Sequence, residues 1–184
     1  MKVSWNYTNL AKSYVNRPSY SEEAIDHIIV KAGLIKGQSV CDVGAGVAHL
    51  TIPLLNRGFI VKAVEPNDSM RAIGIKRTNI FKNVEWFEGT GENTIQPSSS
   101  FDLVSFGSSF NVMDRDLAMK ETCRILKPKG WFTCFWNHRV LTDPLQQEVE
   151  QLIKGEISEY GYGTRREDQT EIIQSSGLFL EPIK

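Results

Sequence analysis

The chain has 184 residues, 41% hydrophobic and 23% charged, with a formal net charge of -1. That is an ordinary globular balance with enough chain for one full core, and its near-neutral charge gives no electrostatic case for nucleic acid as the main partner. No apolar run approaches the ~20 residues of a membrane span, and Met1-Lys-Val-Ser-Trp-Asn6 lacks the apolar stretch of a secretion signal. Residues 1–20 read as polar, aromatic and irregular, and Arg17-Pro18 breaks any helix because the residue before proline avoids the α region. Ser21 suits the N-cap of a helix with Ala24, Ile25, Ile28, Ile29 and Ala32 at helical spacing, ended by Gly33. A first strand covers Ser39–Val43, and a helix from about Ala48 to Asn56 follows, its start open to displacement by Pro53. A second strand covers Ile60–Val64; Asn67 or Asp68 caps the next helix, which runs through Met70, Ile73 and Arg77. Its basic stretch, Arg71 to Lys82, reads as a solvated face.

Val84–Glu88 and Asp102–Phe106 are the third and fourth strands, separated by the loop Gln96–Ser100. A helix over Asp114–Leu126 leads through the turn Pro128-Lys-Gly130 into a fifth strand, Trp131–Trp136. The spacing then predicts a helix from Pro144 to about Glu159, with Gly155 a point of early termination, an aromatic loop Tyr160–Gly163, and a short helix Arg166–Ser176 ended by Gly177. Leu178–Ile183 begins a sixth strand. Strands alternating with helices predict a doubly wound α/β domain, a mostly parallel sheet with helices on both faces. The whole chain, 1–184, reads as one domain: an N-terminal lid and helix over 1–37, a core over 38–137, and a C-terminal part over 138–184. Cys41, Cys123 and Cys134 form no C-x-x-C, so no metal site is indicated and a reducing cytoplasm fits.

The chemistry concentrates in Val40-Cys-Asp-Val-Gly-Ala-Gly-Val-Ala48. An apolar strand runs into a glycine turn, where a ligand can approach the backbone closely, and a helix then opens with unpaired N–H groups at its start. Glu65 ends the second strand, where an acid can accept from both hydroxyls of a ribose. A nucleoside-containing cofactor at the carboxyl end of the sheet follows. The dinucleotide fingerprint G-x-G-x-x-G is incomplete, because His49 stands where its third glycine belongs, and this weakens an NAD reading.

Asp42-Val-Gly-Ala-Gly46 resembles the first motif of the class I S-adenosylmethionine (SAM)-dependent methyltransferases, with Ala48 a mild departure from the usual last glycine. Ala63-Val-Glu-Pro-Asn-Asp-Ser-Met70, Glu88-Gly-Thr-Gly-Glu92, Ser100-Phe-Asp-Leu-Val104 and the segment Glu121 to Gly130 resemble the later motifs, in the right order. Tyr7, Ala11, Tyr14, Arg17, Pro18 and Tyr20 are similar to an N-terminal segment of the trans-aconitate-methyltransferase-like branch. Members of that branch often carry Phe-His-Trp after the fourth strand; here Phe110-Asn111-Val112 stands there, so the substrate class does not carry over.

The resemblance implies SAM as cofactor, S-adenosylhomocysteine (SAH) as product, and a small-molecule acceptor methylated at oxygen or a carboxylate. It implies that Gly44, Ala45, Gly46 and Ser108 meet the methionine and ribose portion and that Glu65 takes the ribose hydroxyls. Pro66, Asn67, Met70, Thr90, Gly91 and Glu92 edge the adenine. Tyr14, Arg17 and Tyr20 belong to a lid, with Arg17 on the methionyl carboxylate. His138 is the base candidate, weighed against a structural role, and Phe110, Asn111 and Arg139 are expected at the acceptor. The family's strand order, 3-2-1-4-5-7-6, leaves the last strand unfound, so a homodimer or a shortened chain is expected. Two alternatives stay open: a non-catalytic SAM-binding or interaction module, and an NAD-linked oxidoreductase.

Overall fold

The computed structural model describes residues 7–138, 140, 142–157, 160 and 169–180. Five strands form one sheet in the order β3-β2-β1-β4-β5: β1 Ser39–Val43, β2 Ile60–Val64, β3 Val84–Phe87, β4 Phe101–Gly107 and β5 Leu126–Phe135. Every pairing is parallel. Parallel strands are covered on both faces, which is why β1 and β4 are buried almost continuously rather than at alternate positions. Val40, Val61 and Leu103 pack on one face with Ile25, Leu54 and Phe59. Cys41, Val64, Val104 and Phe106 pack on the other with Phe110, Met119 and Ile125.

The helices are α1 Ala11–Tyr14, α2 Glu22–Lys31, α3 Thr51–Asn56, α4 Asp68–Thr78, α5 Arg115–Ile125, α6 Pro144–Glu156 and α7 Thr170–Ser175. Side-chain caps start four of them: Ser21 accepts from Ala24 N, Asn67 from Met70 N, Asp114 from Leu117 N and Asp143 from Gln146 N. Each such cap contributes about 1 kcal/mol to its helix. Among the described residues, no helix is long and apolar enough to cross a membrane.

Several boundaries differ from the sequence expectation. The N-terminal segment is not irregular: a 3-10 turn at Thr8–Leu10 leads into α1, because Ala11, Tyr7 and Tyr14 pack on Val47 and Met70. Helix α3 starts at Thr51, which puts Pro53 in the first turn where its missing N–H costs nothing. Pro128-Lys-Gly130 is not a turn before β5 but lies inside it. Lys129 takes φ 67 and the register slips between Phe101 and Leu103, so the strand absorbs the kink as an irregularity at a sheet edge. Gly155 does not end α6; it faces open space, and one exposed glycine costs only about 1 kcal/mol against alanine. Leu178, Phe179 and Leu180 are bends rather than the start of a sixth strand, with Phe179 packed on Phe132; residues 181–183 of that expected strand, and the loop and helix start over 161–168, lie outside the described residues.

Strand order reverses between β1 and β4. The crevice at their carboxyl ends is where open α/β sheets bind ligands.

Candidate functional site

The cavity at that crevice holds about 400 Å³. Its floor is the turn after β1. Gly44 and Gly46 take φ 69 and 57, a left-handed region open to glycine at little cost. A Cβ at Gly44 would stand 2.4 Å from Ser109 Cβ, and one at Gly46 would stand 3.3 Å from Met70 Cε. The turn is therefore a cradle whose depth depends on bare backbone. Its amides are already used: Gly44 N and Ala45 N donate to Val64 O at 2.8 and 3.0 Å, Ala48 N to Ala45 O at 2.9 Å, and Gly46 N to Glu65 Oε2 at 2.9 Å. These four amides are thus not free donors for a ligand. A pyrophosphate needs such donors, so the turn suits a ligand that asks for close approach rather than for phosphate contacts.

Glu65 sits one residue past β2 and is 7% exposed. Its two oxygens accept from Gly46 N and Asn67 N, both at 2.9 Å, which fixes the carboxylate at the cavity wall. Burial raises its pKa; the two amides and Arg71 oppose that without cancelling it. The basic stretch on α4 is more than a solvated face. Arg71 donates to Glu65 O at 2.7 Å and pairs with Asp68, while Arg77 donates to Val47 O. Two arginines thus brace the glycine turn and the acid from behind.

Asp42, named in the sequence only as part of the motif, is 1% exposed and lines the same cavity. Thr51 Oγ donates to it at 2.6 Å and Ser105 Oγ lies at 3.4 Å. Burial pushes its pKa up to about 7, against the pull of those two hydroxyls.

On the β3 side, Thr90, Gly91 and Glu92 line the wall with Pro66, Asn67 and Met70. Glu92 Oε1 accepts from Asp114 N at 2.8 Å, which ties this wall to the start of α5. On the β4 side, Ser108 takes φ 56 and its amide donates to Phe135 O at 2.8 Å. Tyr20 donates to Ser108 Oγ at 3.0 Å, and burial pushes its phenol up to about 12. Arg17 lies over the Tyr14 ring at 4.7 Å and donates to Tyr14 Oη.

The structure therefore gathers all the sequence-named cofactor residues, from Tyr14 to Ser108, around one cavity. It does not do so for the acceptor residues. Phe110 is a correction: it is fully buried, edge-on to Phe106 and Phe132 at 5.4 Å, and belongs to the core. The 3-10 turn at Phe110–Val112 rotates it inward and leaves Val112 and Met113 on the cavity. Asn111 accepts from Trp136 Nε1 at 3.2 Å, away from the cavity lining. His138 is exposed beside Trp136, with ring centroids 6.4 Å apart, also outside the lining. Arg139 lies outside the described residues.

Sequence reasoning missed Asn137 and His49 as lining residues. Asn137 Nδ2 donates to Pro18 O and Ser19 O at 3.3 and 3.2 Å, tying the β5 tip to the N-terminal segment. His49 Nε2 lies 3.0 Å from Tyr14 O; a carbonyl only accepts, so Nε2 carries the proton. Burial lowers its pKa, helped by Arg77 and Arg17 and opposed by the Tyr14 bond. No local pattern marks either residue, since both contacts span long stretches of chain.

Comparison with known proteins agrees with this geometry. Residues 41–134 match the family of methyltransferase domains. An uncharacterized methyltransferase of Mycobacterium tuberculosis (strain ATCC 25618 / H37Rv) is 34% identical over 123 residues, 67% of this chain and 48% of that protein. A ubiquinone/menaquinone biosynthesis C-methyltransferase of Escherichia coli O1:K1 / APEC is 29% identical over 127 residues, covering 65% of this chain and 50% of that protein. The chain spans about half the length of the curated relatives it matches. A putative S-adenosyl-L-methionine-dependent methyltransferase from Methanococcus maripaludis shares the fold at a TM-score of 0.66 with 19% identity, over 85% of this chain and 73% of that one.

Proposed function

Because the chain belongs to the methyltransferase-domain family, as a class I SAM-dependent member, we propose that it transfers a methyl group from SAM to a small-molecule acceptor. The observation that carries the reading is the pairing of a phosphate-free glycine cradle with a fixed acid. Gly44, Ala45 and Gly46 spend their amides inside the protein, while the Glu65 carboxylate is held by Gly46 N and Asn67 N at the cavity wall. Such a site fits a nucleoside with no phosphate. An NAD-linked oxidoreductase is correspondingly disfavoured.

When bound, SAM supplies an activated methyl on its sulfonium. The residues of this chain bind, orient and exclude water. Glu65 takes the ribose hydroxyls with the lone pairs its two amide bonds leave. Met70, Asn67 and Pro66 on one side and Thr90 and Gly91 on the other edge the adenine. Arg17 leaves the Tyr14 ring to pair with the methionyl carboxylate. Tyr20, Ser108 and Asn137 close the side toward the acceptor, which the N-terminal segment covers as a lid. Tyr20, with its phenol up at about 12, serves as a donor and not as a base near neutral pH.

Methylation at oxygen or a carboxylate is the acceptor chemistry we favour, because a carboxylate arrives already nucleophilic and asks for no base. Methylation at carbon is the second reading, and the similarity to the E. coli C-methyltransferase favours it. The likeness to the trans-aconitate-methyltransferase-like branch rests on the residues Tyr7 to Tyr20 alone. A reducing, cytoplasmic setting goes with Cys41, Cys123 and Cys134, all unpaired.

Isothermal titration with SAM, SAH and NAD tests the cofactor. Micromolar binding of SAM and SAH without NAD is expected. Glu65→Ala should weaken both by tenfold or more, since a buried amide and a part-buried one lose their acceptor and the ribose loses its own, at about 1–3 kcal/mol per group. Equal affinity in wild type and Glu65→Ala would sink the placement.

A further inference from the structure

We propose that Glu121, on α5 and outside the cavity lining, is the positioning residue of the adenine wall. This rests on the cofactor reading above. The loop between β3 and β4, residues 88–100, contains neither helix nor strand, and Ile95 and Ser99 take φ 59 and 49. A loop of this kind is ordered only where something grips it.

Glu121 is 8% exposed, and its Oε1 accepts from both Thr94 N at 2.9 Å and Thr94 Oγ at 2.5 Å. Arg124, one turn on, holds the same carboxylate at 2.7 and 2.8 Å and also donates to Gln96 O at 2.7 Å and Ser98 Oγ at 3.0 Å. Burial works to raise the Glu121 pKa, but Arg124 and the Thr94 donors hold it below its ordinary value, so it stays charged near neutrality. A buried carboxylate receiving this many donors is a strong local anchor.

The grip reaches the cavity through one tight turn. Thr90 and Asn93 exchange backbone bonds at 3.0 and 3.3 Å, and Asn93 is followed directly by the gripped Thr94. Glu92, inside that turn, is fixed to Asp114 N at the start of α5. The adenine wall is therefore clamped to α5 at two points, the helix start and Glu121 about two turns along it. Of the two, Glu121 bonds to Thr94 and Arg124, neither of which lines the cavity, yet it decides whether Thr90 and Gly91 stand ready. If the loop is competent only a fraction of the time, apparent affinity falls by that fraction.

The test compares wild type, Glu121→Ala, Glu121→Gln and Thr94→Val by two readouts. One is titration with SAH and with 5′-methylthioadenosine, which keeps the adenosine and lacks the amino-acid tail. The other is amide hydrogen exchange on the ligand-free proteins. Glu121→Ala should lose about tenfold for both ligands, with fast exchange confined to residues 88–100 and the β1 and β4 amides still protected. Glu121→Gln keeps an oxygen for Thr94 and should bind within about threefold of wild type. If Glu121→Ala does not fold, Thr94→Val carries the test, with a smaller loss for both ligands and faster exchange in the same loop. Unchanged loop exchange with unchanged affinity in the folded variants, or an affinity loss without loop exchange, overturns the proposal. A wild type that binds neither ligand but shows Glu121-dependent loop exchange overturns the cofactor reading instead and leaves the clamp standing.

Discussion

The two ends of the crevice are built by opposite means. At the proposed cofactor end, the bonds that fix the acid and its neighbours are short in sequence: Glu65 to Asn67 spans two residues, Asn67 to Met70 three, and Gly46 to Glu65 nineteen. At the end we propose for the acceptor, Tyr20 reaches Ser108 across 88 residues and Asn137 reaches Ser19 across 118. Loop-closure entropy grows with the span that must be closed. The first end is thus fixed as soon as β1, β2 and their turns form. The second exists only when the N-terminal segment has docked on the strand tips, and that makes it the end able to open for an acceptor.

The largest effect that would sharpen this contrast is at Gly44. Alanine there needs a Cβ at 2.4 Å from Ser109 Cβ, a buried neighbour whose hydroxyl is bonded to Val43 O at 2.6 Å. Overpacking of that kind costs about 1–3 kcal/mol, and the left-handed φ of 69 adds about 1–2 kcal/mol for a residue with a Cβ. Gly44→Ala should lower SAM affinity at least ~100-fold, read by titration, or unfold the chain. Gly46→Ala meets only the flexible end of Met70 and should lose far less. Equal losses at the two positions would mean that the turn is not a shaped cradle.

Asn137→Ala probes the other end. It removes the two bonds to Pro18 O and Ser19 O and loosens the N-terminal segment. We expect acceptor turnover to fall about five- to tenfold, as lid mutants do when they change k for closure, with SAH affinity within about threefold of wild type. A matching drop in SAH affinity would break the division between the ends.

Asp42 lies at the seam between them, on β1 and beside Ser105 of β4. In the folded chain it keeps its proton up to about 7, whereas its ordinary value is 3.8. Between those values the folded state binds more protons than the unfolded state, so this group's contribution to stability is full below about pH 4 and is lost as pH rises through about 7. Denaturant titrations of wild type should show that decline, and Asp42→Asn should flatten it. A parallel slope in the variant would assign the decline to other groups, Glu65 first among them.

The same contrast explains what the sequence told. Strand, turn and acid at the cofactor end are contiguous patterns, so Gly44, Gly46, Glu65 and Met70 could be named and were found together. Phe110 was misread because a three-residue 3-10 turn, not the strand period, sets which way it faces, and it faces the core. His49 and Asn137 were overlooked because their partners, Tyr14 and Ser19, are distant in sequence and carry no shared spacing. The arginines of α4 looked solvated because charge pattern alone does not reveal that Arg71 and Arg77 bend back onto backbone carbonyls. Pro128-Lys-Gly130 looked like a turn, and only the pairing of Leu126 with Phe101 keeps it inside β5.

The smallest expected effect concerns Ala48, where the chain departs from the glycine of the motif. Ala48 takes φ 75 and is fully buried. The left-handed backbone costs an alanine about 1–2 kcal/mol relative to glycine. Against that, its methyl gains about 0.8 kcal/mol by burial, and an alanine loses about 0.4–1 kcal/mol less chain entropy on folding than a glycine would. The terms nearly cancel, which is how a residue outside the motif persists at the heart of the cofactor end. Ala48→Gly should therefore change unfolding free energy by less than about 1 kcal/mol in either direction and leave SAH affinity intact. Ala48→Val keeps the strain, adds β-branching and overfills a closed site, so it should cost about 2 kcal/mol or more. If Ala48→Gly instead stabilises the chain well beyond 1 kcal/mol, the cofactor end holds strain that burial does not offset, and its preformed character has been overstated.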